Sequence, residues 1–130
     1  MIVIDASVAL DALLSAGGIE QLGRKDLTAP PLLWSEVTSS LREVVWRRLI
    51  SNESGLEGLA RLSKAPIKRN APKNLHLEAW TVAEQLGWAK TYDAEYVALA
   101  MLLGCRLLTR DARLQRSAGE LVEIIDPTQI

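Results

Sequence analysis

The chain has 130 residues, 48% of them hydrophobic, and a formal net charge of −1. This describes one globular domain, residues 1–130, large enough to bury roughly two-thirds of the surface its unfolded chain exposes. It excludes a disordered chain and a strongly basic nucleic-acid binder, and no apolar stretch approaches the roughly 18–20 residues of a membrane span.

Residues 2–5 are an apolar run stopped by an acid, which predicts a buried strand ending at Asp5. Helical spacing follows over 6–15, then a break at Gly17-Gly18 and a short helix near 18–24. Thr28-Ala29-Pro30-Pro31 predicts a brief strand or loop feeding a long helix over 32–51. Proline is tolerated in a first turn. Leu33, Val37, Leu41, Val44, Val45 and Leu49 form the apolar stripe of that helix. Asn52-Glu53-Ser54-Gly55 interrupts it, and Ser54 with Glu57 reads as a capping box for a second helix through Leu62. Residues 66–72 read as a basic connection or short edge strand. A helix over 74–87 ends at Gly87. Another, from Asp93 to Leu103, is apolar on nearly every side, should be deeply buried, and stops at Gly104. Residues 106–109 predict a strand, 111–118 a short helix and 122–125 a closing strand. Strands alternating with helices predict an α/β fold with a parallel sheet, helix predominating.

The opening residues carry neither a basic n-region nor a small-residue cleavage site, so no signal peptide is expected. The single cysteine, Cys105, excludes an internal disulfide and reads as a small buried apolar side chain. Both fit a reducing, cytoplasmic setting.

Four acids hold similar places. Asp5 and Asp111 follow strands, Glu36 lies in the first turns of the long helix, and Asp93 opens the apolar helix. In a parallel sheet Asp5 and Asp111 emerge at one edge, where open α/β sheets bind their ligands. Taken singly, Asp5, Asp93 and Asp111 also fit helix caps. Ser, Thr and Asn cap about as well as Asp, so capping alone predicts a mixture of residue types. Glu36 is a poor fit to a cap because it lies inside its helix. Four carboxylates brought together repel and raise one another's pKa. Hard divalent cations, Mg²⁺ or Mn²⁺, neutralise such a set, and the natural chemistry is metal-assisted attack of water on a phosphodiester.

The other polar residues carry weaker signals. His76 is the only histidine, reads as a surface or boundary residue, and leaves a zinc site without ligands. Most basic residues read as a solvated face, with pairs such as Glu43 to Arg47 at helical spacing. Arg110, Arg113 and Arg116 adjoin the acidic edge and are the better candidates for phosphate contacts.

Four segments, Met1-Ile-Val-Ile-Asp5-Ala-Ser7, Pro31-Leu-Leu-Trp-Ser-Glu36-Val-Thr-Ser-Ser-Leu-Arg42, Thr91-Tyr-Asp93-Ala-Glu-Tyr-Val-Ala-Leu-Ala100 and Leu107-Leu-Thr-Arg-Asp111-Ala-Arg-Leu114, together resemble the PIN-domain ribonucleases. More narrowly they resemble the VapC-type toxins of toxin–antitoxin pairs, and the likeness runs over essentially the whole chain. It implies a three-layer α/β/α PIN-like fold with a short parallel sheet. It also implies a Mg²⁺- or Mn²⁺-dependent endoribonuclease acting on structured RNA, held inactive by a cognate antitoxin and forming a homodimer. Asp5, Glu36, Asp93 and Asp111 match the family's acidic quartet, with Asp5 and Asp93 at its surest metal-ligand positions. Ser7 and Thr109 match hydroxyl positions that support the acids. Glu95, two residues past Asp93 on a helix, should point elsewhere. Glu43 shares a face with Glu36, but its pairing with Arg47 is the simpler reading. Trp46 lies off the apolar stripe and marks either a subunit or antitoxin surface, or a ring covering an adjacent helix.

Two other classes compete. A non-catalytic PIN-like binding module, serving only as a regulatory partner, has no need of four intact acids. A phosphoacceptor signalling domain would want paired acids after the first strand and a lysine after a late one. Here Asp5 is followed by Ala6 and Ser7, and the late strand by Arg110 and Asp111.

Overall fold

The computed structural model describes residues 1–129. In chain order the elements are β1 (Ile2–Ile4), α1 (Ala6–Leu14), α2 (Gly18–Leu22), β2 (Leu27–Ala29), α3 (Leu32–Trp46), α4 (Asn52–Lys64), β3 (Ile67–Arg69), α5 (Leu75–Leu86), α6 (Tyr92–Leu103), β4 (Arg106–Leu108), α7 (Ala112–Ala118) and β5 (Ile124–Ile125). A 3₁₀ turn, Pro127–Gln129, follows. The strands form one sheet in the order β3-β2-β1-β4-β5, every neighbouring pair parallel. Helices cover both faces, giving three α/β/α layers. Among the described residues no helix is long and apolar enough to cross a membrane.

This strand order positions the site. From β1 the chain steps outward to β2 and β3, then returns to the other side of β1 for β4 and β5. Successive connections therefore leave β1 and β4 in opposite directions and open a crevice beyond their carboxyl ends. Ile4 pairs with Leu108, so Asp5 and Thr109 leave the sheet side by side.

Burial explains why three-residue strands suffice. Val3, Ile4, Leu107 and Leu108 are fully buried, as expected of the centre of a parallel sheet sandwiched by helices. Helix α6 packs on β1, β4 and α5, and its Ala94 and Val97–Ala100 are inaccessible to solvent. Its apolar residues run all round because neighbours surround it.

Three local expectations need correction. Helix α3 ends at Trp46, not near 51, although the apolar spacing runs on through Leu49. Arg48 adopts φ 61°. The Arg48 amide then donates to the Val45 carbonyl at 2.9 Å and the Leu49 amide to Val44 at 3.1 Å. That closure is the one glycine makes after α5 and α6, at Gly87 and Gly104. An arginine in the left-handed region gives no sequence warning of a helix end. Helix α4 starts earlier than expected. Its cap is Ser51, whose Oγ accepts from the Ser54 amide at 3.0 Å, so Ser54 lies inside the helix. Cys105 is only partly buried, because β4 begins at the sheet margin.

The turn from α1 into α2 depends on Gly18, where a Cβ would overlap the backbone carbonyl of Ala12. Gly18→Ala is expected to destabilise the domain by at least about 2 kcal/mol, since backbone and not a movable side chain must yield. A urea denaturation midpoint measures the loss.

Candidate active site

Asp5 caps α1 and is 6% exposed. Its Oδ1 accepts from the Ser7 hydroxyl at 2.7 Å and the Val8 amide at 3.2 Å. Its Oδ2 accepts a short hydrogen bond from the Thr109 hydroxyl, across the seam between β1 and β4. Thr109 is itself fully buried, and its Oγ1 accepts from the Asp111 amide at 3.0 Å. The loop carrying Asp111 is thereby tied to Asp5. Burial pushes the Asp5 carboxyl above the usual range, and the Thr109 and Ser7 hydrogen bonds work against that rise.

Glu36 lies on the second turn of α3, delivered to the same edge because β2 ends at Ala29 and α3 begins almost at once. The Tyr96 hydroxyl donates to its Oε1 at 2.5 Å. Its carboxyl is raised by burial, held back by that hydrogen bond, and raised further by the charges of Asp93 and Asp5. Asp93 sits in the first turn of α6 but caps nothing; the cap position is Thr91. Burial raises its carboxyl as well, opposed by Arg113 and reinforced by Asp111. Asp111 caps α7, its Oδ1 accepting from the Arg113 amide at 2.9 Å. Capping thus accounts for part of the placement of Asp5 and Asp111, and for none of Glu36 or Asp93.

Four acids from four segments therefore meet at one edge as an electrostatically linked series, Asp5 to Glu36 to Asp93 to Asp111. Their donors are hard oxygens, which suits Mg²⁺ or Mn²⁺. Among the described residues, no three acidic, imidazole or thiol groups converge closely enough to hold an ion as they stand. The cation in contact with two of them, Asp93 and Asp111, is a guanidinium. Arg113 Nη2 lies 2.9 Å from Asp93 Oδ2 and 3.3 Å from Asp111 Oδ2.

The remaining residues divide. Arg110 is paired with Asp11 on α1, and Arg116 is exposed on α7. Glu43 pairs with Arg47 at 2.7 Å. His76 is exposed and lies 3.6 Å from Glu95. Glu95 does not point wholly away from the edge. Its side chain is only 12% exposed, and its charge adds to the repulsion on Glu36. Trp46 is 73% exposed, so its ring does not cover a neighbouring helix.

Tyr96 escaped sequence reasoning. It is 1% exposed, and burial with the Glu36 contact keeps its phenol protonated at every ordinary pH. The available signal was a lone hydroxyl in an otherwise apolar stretch of α6, since a buried tyrosine needs a partner for its O–H.

Fold and site together define a small doubly wound α/β domain with an acidic centre at its switch point. The PIN domain family model matches residues 2–120. Over 115 residues the chain is 38% identical to Ribonuclease VapC9 of Mycobacterium tuberculosis, spanning 88% of each protein. It is 34% identical over 128 residues to Ribonuclease VapC12 of the same species, spanning 95% of this chain and 97% of that one. VapBC2 from Rickettsia felis, solved bound to a DNA fragment from its promoter, aligns with a TM-score of 0.68 over 97% of this chain and 98% of that one, at 12% identity. That last likeness shows a shared fold. The chain belongs to the PIN-domain family, in its VapC-type branch.

Proposed function

We propose that this protein is a Mg²⁺- or Mn²⁺-dependent endoribonuclease, the toxin of a toxin–antitoxin pair. The observation that carries the reading is the meeting of Asp5, Glu36, Asp93 and Asp111 beyond the switch point, with the carboxyls of Asp5, Glu36 and Asp93 raised, burial being the leading cause in each. Support also comes from two relatives whose names call them ribonucleases and from a structural neighbour that is a VapBC assembly.

In this reading Asp5, Glu36 and Asp93 hold the ion, with Asp111 at the margin. A bound divalent ion supplies a Lewis acid for the phosphate and lowers the pKa of water. The chain supplies the geometry. Ser7 and Thr109 fix the plane of the Asp5 carboxylate. Tyr96 holds one oxygen of Glu36, leaving the other to face the site. Thr109 couples the positions of Asp5 and Asp111. Trp46, with exposed Leu49 and Leu56 nearby in the chain, offers an apolar surface for the antitoxin or a second subunit.

Tyr96→Phe keeps the volume and deletes the hydrogen bond. It is expected to lower cleavage by about 10–100-fold, the usual effect of losing a group that orients a ligand. Cleavage rates at saturating Mn²⁺ and at limiting Mn²⁺ measure how much of the loss is weaker ion binding.

The deciding experiment takes purified protein, strips it with EDTA and assays it on total RNA with each metal restored separately. Cleavage that returns with Mg²⁺ or Mn²⁺ supports the proposal. Absence of cleavage under every metal, with antitoxin binding intact, favours a non-catalytic binding module.

A further inference from the structure

Arg113 stands apart from the other basic residues at this edge. Arg110 is engaged with Asp11, away from the acids. Arg113 bridges two acids that reach the edge from different segments, Asp93 from α6 and Asp111 from the β4–α7 loop. One guanidinium nitrogen makes both contacts, at 2.9 Å and 3.3 Å. The side chain is 67% exposed, so nothing packed over it prevents departure. A guanidinium matches phosphate oxygens as well as carboxylate oxygens.

We infer that Arg113 is an exchangeable counter-ion, which holds Asp93 and Asp111 until a substrate phosphate draws it away and frees both acids for a divalent cation. This rests on the metal-dependent ribonuclease reading. Without RNA, Arg113 competes with the cation for the same oxygens and keeps ion affinity low. With RNA, the same guanidinium neutralises phosphate, and the acids lose their internal partner. Metal and RNA then favour each other's binding, and by linkage the advantage is equal in both directions. The side chain is a positioning residue, working through the acids it releases.

Three roles for Arg113 give different signatures. A phosphate contact and nothing more would weaken RNA binding on removal and leave metal binding alone. A strut between α6 and α7 would, on removal, loosen the acids and weaken metal binding. An exchangeable counter-ion gives opposite signs: RNA binding weakens and metal binding tightens.

The test compares wild type, Arg113→Gln and Arg113→Lys. Mn²⁺ affinity is read without RNA from the electron paramagnetic resonance signal of free Mn²⁺. RNA affinity is read in EDTA from the fluorescence anisotropy of a labelled short RNA over a range of salt. Arg113→Gln is expected to bind Mn²⁺ about tenfold tighter, since a competing unit charge has gone from beside two ligands. It should bind RNA several-fold more weakly, with the salt slope reduced by about one. Arg113→Lys, which keeps the charge, should stay near wild type for Mn²⁺. Unchanged or weaker Mn²⁺ binding by Arg113→Gln, with wild type binding normally, overturns the counter-ion role alone. Failure of all three proteins to bind Mn²⁺ overturns the metal reading and this inference with it.

Discussion

Replacing Asp5 or Asp93 by Asn is expected to reduce RNA cleavage by roughly a thousandfold or more, while each variant still folds. The size follows from what an ion-holding carboxylate does in the proposed site. Losing metal-borne stabilisation of the transition state removes several kcal/mol, and about 4 kcal/mol is three orders of magnitude in rate. Retention of the fold follows from local geometry. Asn at residue 5 still offers an oxygen to the Val8 amide and still caps α1 about as well as Asp. Asp93 caps nothing, and its side-chain partner is the exposed Arg113, so Asn there removes no buried contact. Single-turnover cleavage with added Mn²⁺, beside far-ultraviolet circular dichroism, measures both halves. Undiminished cleavage by either variant would remove that residue from the site.

The second large effect is a reversed dependence of stability on pH. Asp5, Glu36, Asp93 and Glu95 all have carboxyls raised above their ordinary values, burial being the leading cause in each. A group with a raised pKa in the folded state binds protons more readily there than in the unfolded chain. Its contribution to stability is then full below the unfolded value and is lost as pH climbs through the folded one. The window opens at the ordinary values, 3.8 for Asp and 4.5 for Glu, and closes above the raised ones. Asp126 runs the other way, lowered by its Thr128 hydrogen bonds. It acts below that window and is exposed to solvent, so it adds little.

Protein treated with EDTA should therefore melt higher near the ordinary carboxyl values, 3.8 and 4.5, than at neutral pH, by on the order of 2–5 °C. Mn²⁺ should recover the difference at neutral pH, because a ligand that binds only the folded state stabilises it. The same metal should do less at the lower pH, where protons compete more strongly for the acids. By this argument Asp93→Asn should melt no lower than wild type at neutral pH. Differential scanning calorimetry across pH, with and without Mn²⁺, tests each point. Stability that simply falls with acid from neutral pH downward would mean that these carboxylates are better solvated than their burial implies.

Much of this is legible in the amino-acid sequence. Val3 and Ile4 announce a central strand because a sheet covered on both faces has no polar side to show. Gly87 and Gly104 mark helix ends because the left-handed turn favours a residue without Cβ. The end of helix α3 carries no such mark, because Arg48 makes the same turn with an ordinary side chain. Asp93 was ambiguous between cap and ligand for a similar reason. A two-residue difference in where α6 starts decides whether its carboxylate meets the helix amides or the sheet edge, and boundaries are the weakest part of any pattern reading.

By itself the amino-acid order determined the alternation of short strands and helices, the parallel sheet, and the presence of an acid at each of four junctions. These are local properties, set by side-chain polarity and by spacing along a few turns. Only the tertiary structure decided which groups those acids meet. Thr109 reaches Asp5 across 104 positions of sequence, and Tyr96 reaches Glu36 across 60. Arg113 turns to Asp93 and Asp111, while Arg110, three residues earlier, turns to Asp11. Such partnerships depend on strand order and on the angle at which each helix leaves the sheet. They are properties of the packed whole, and no single segment encodes them.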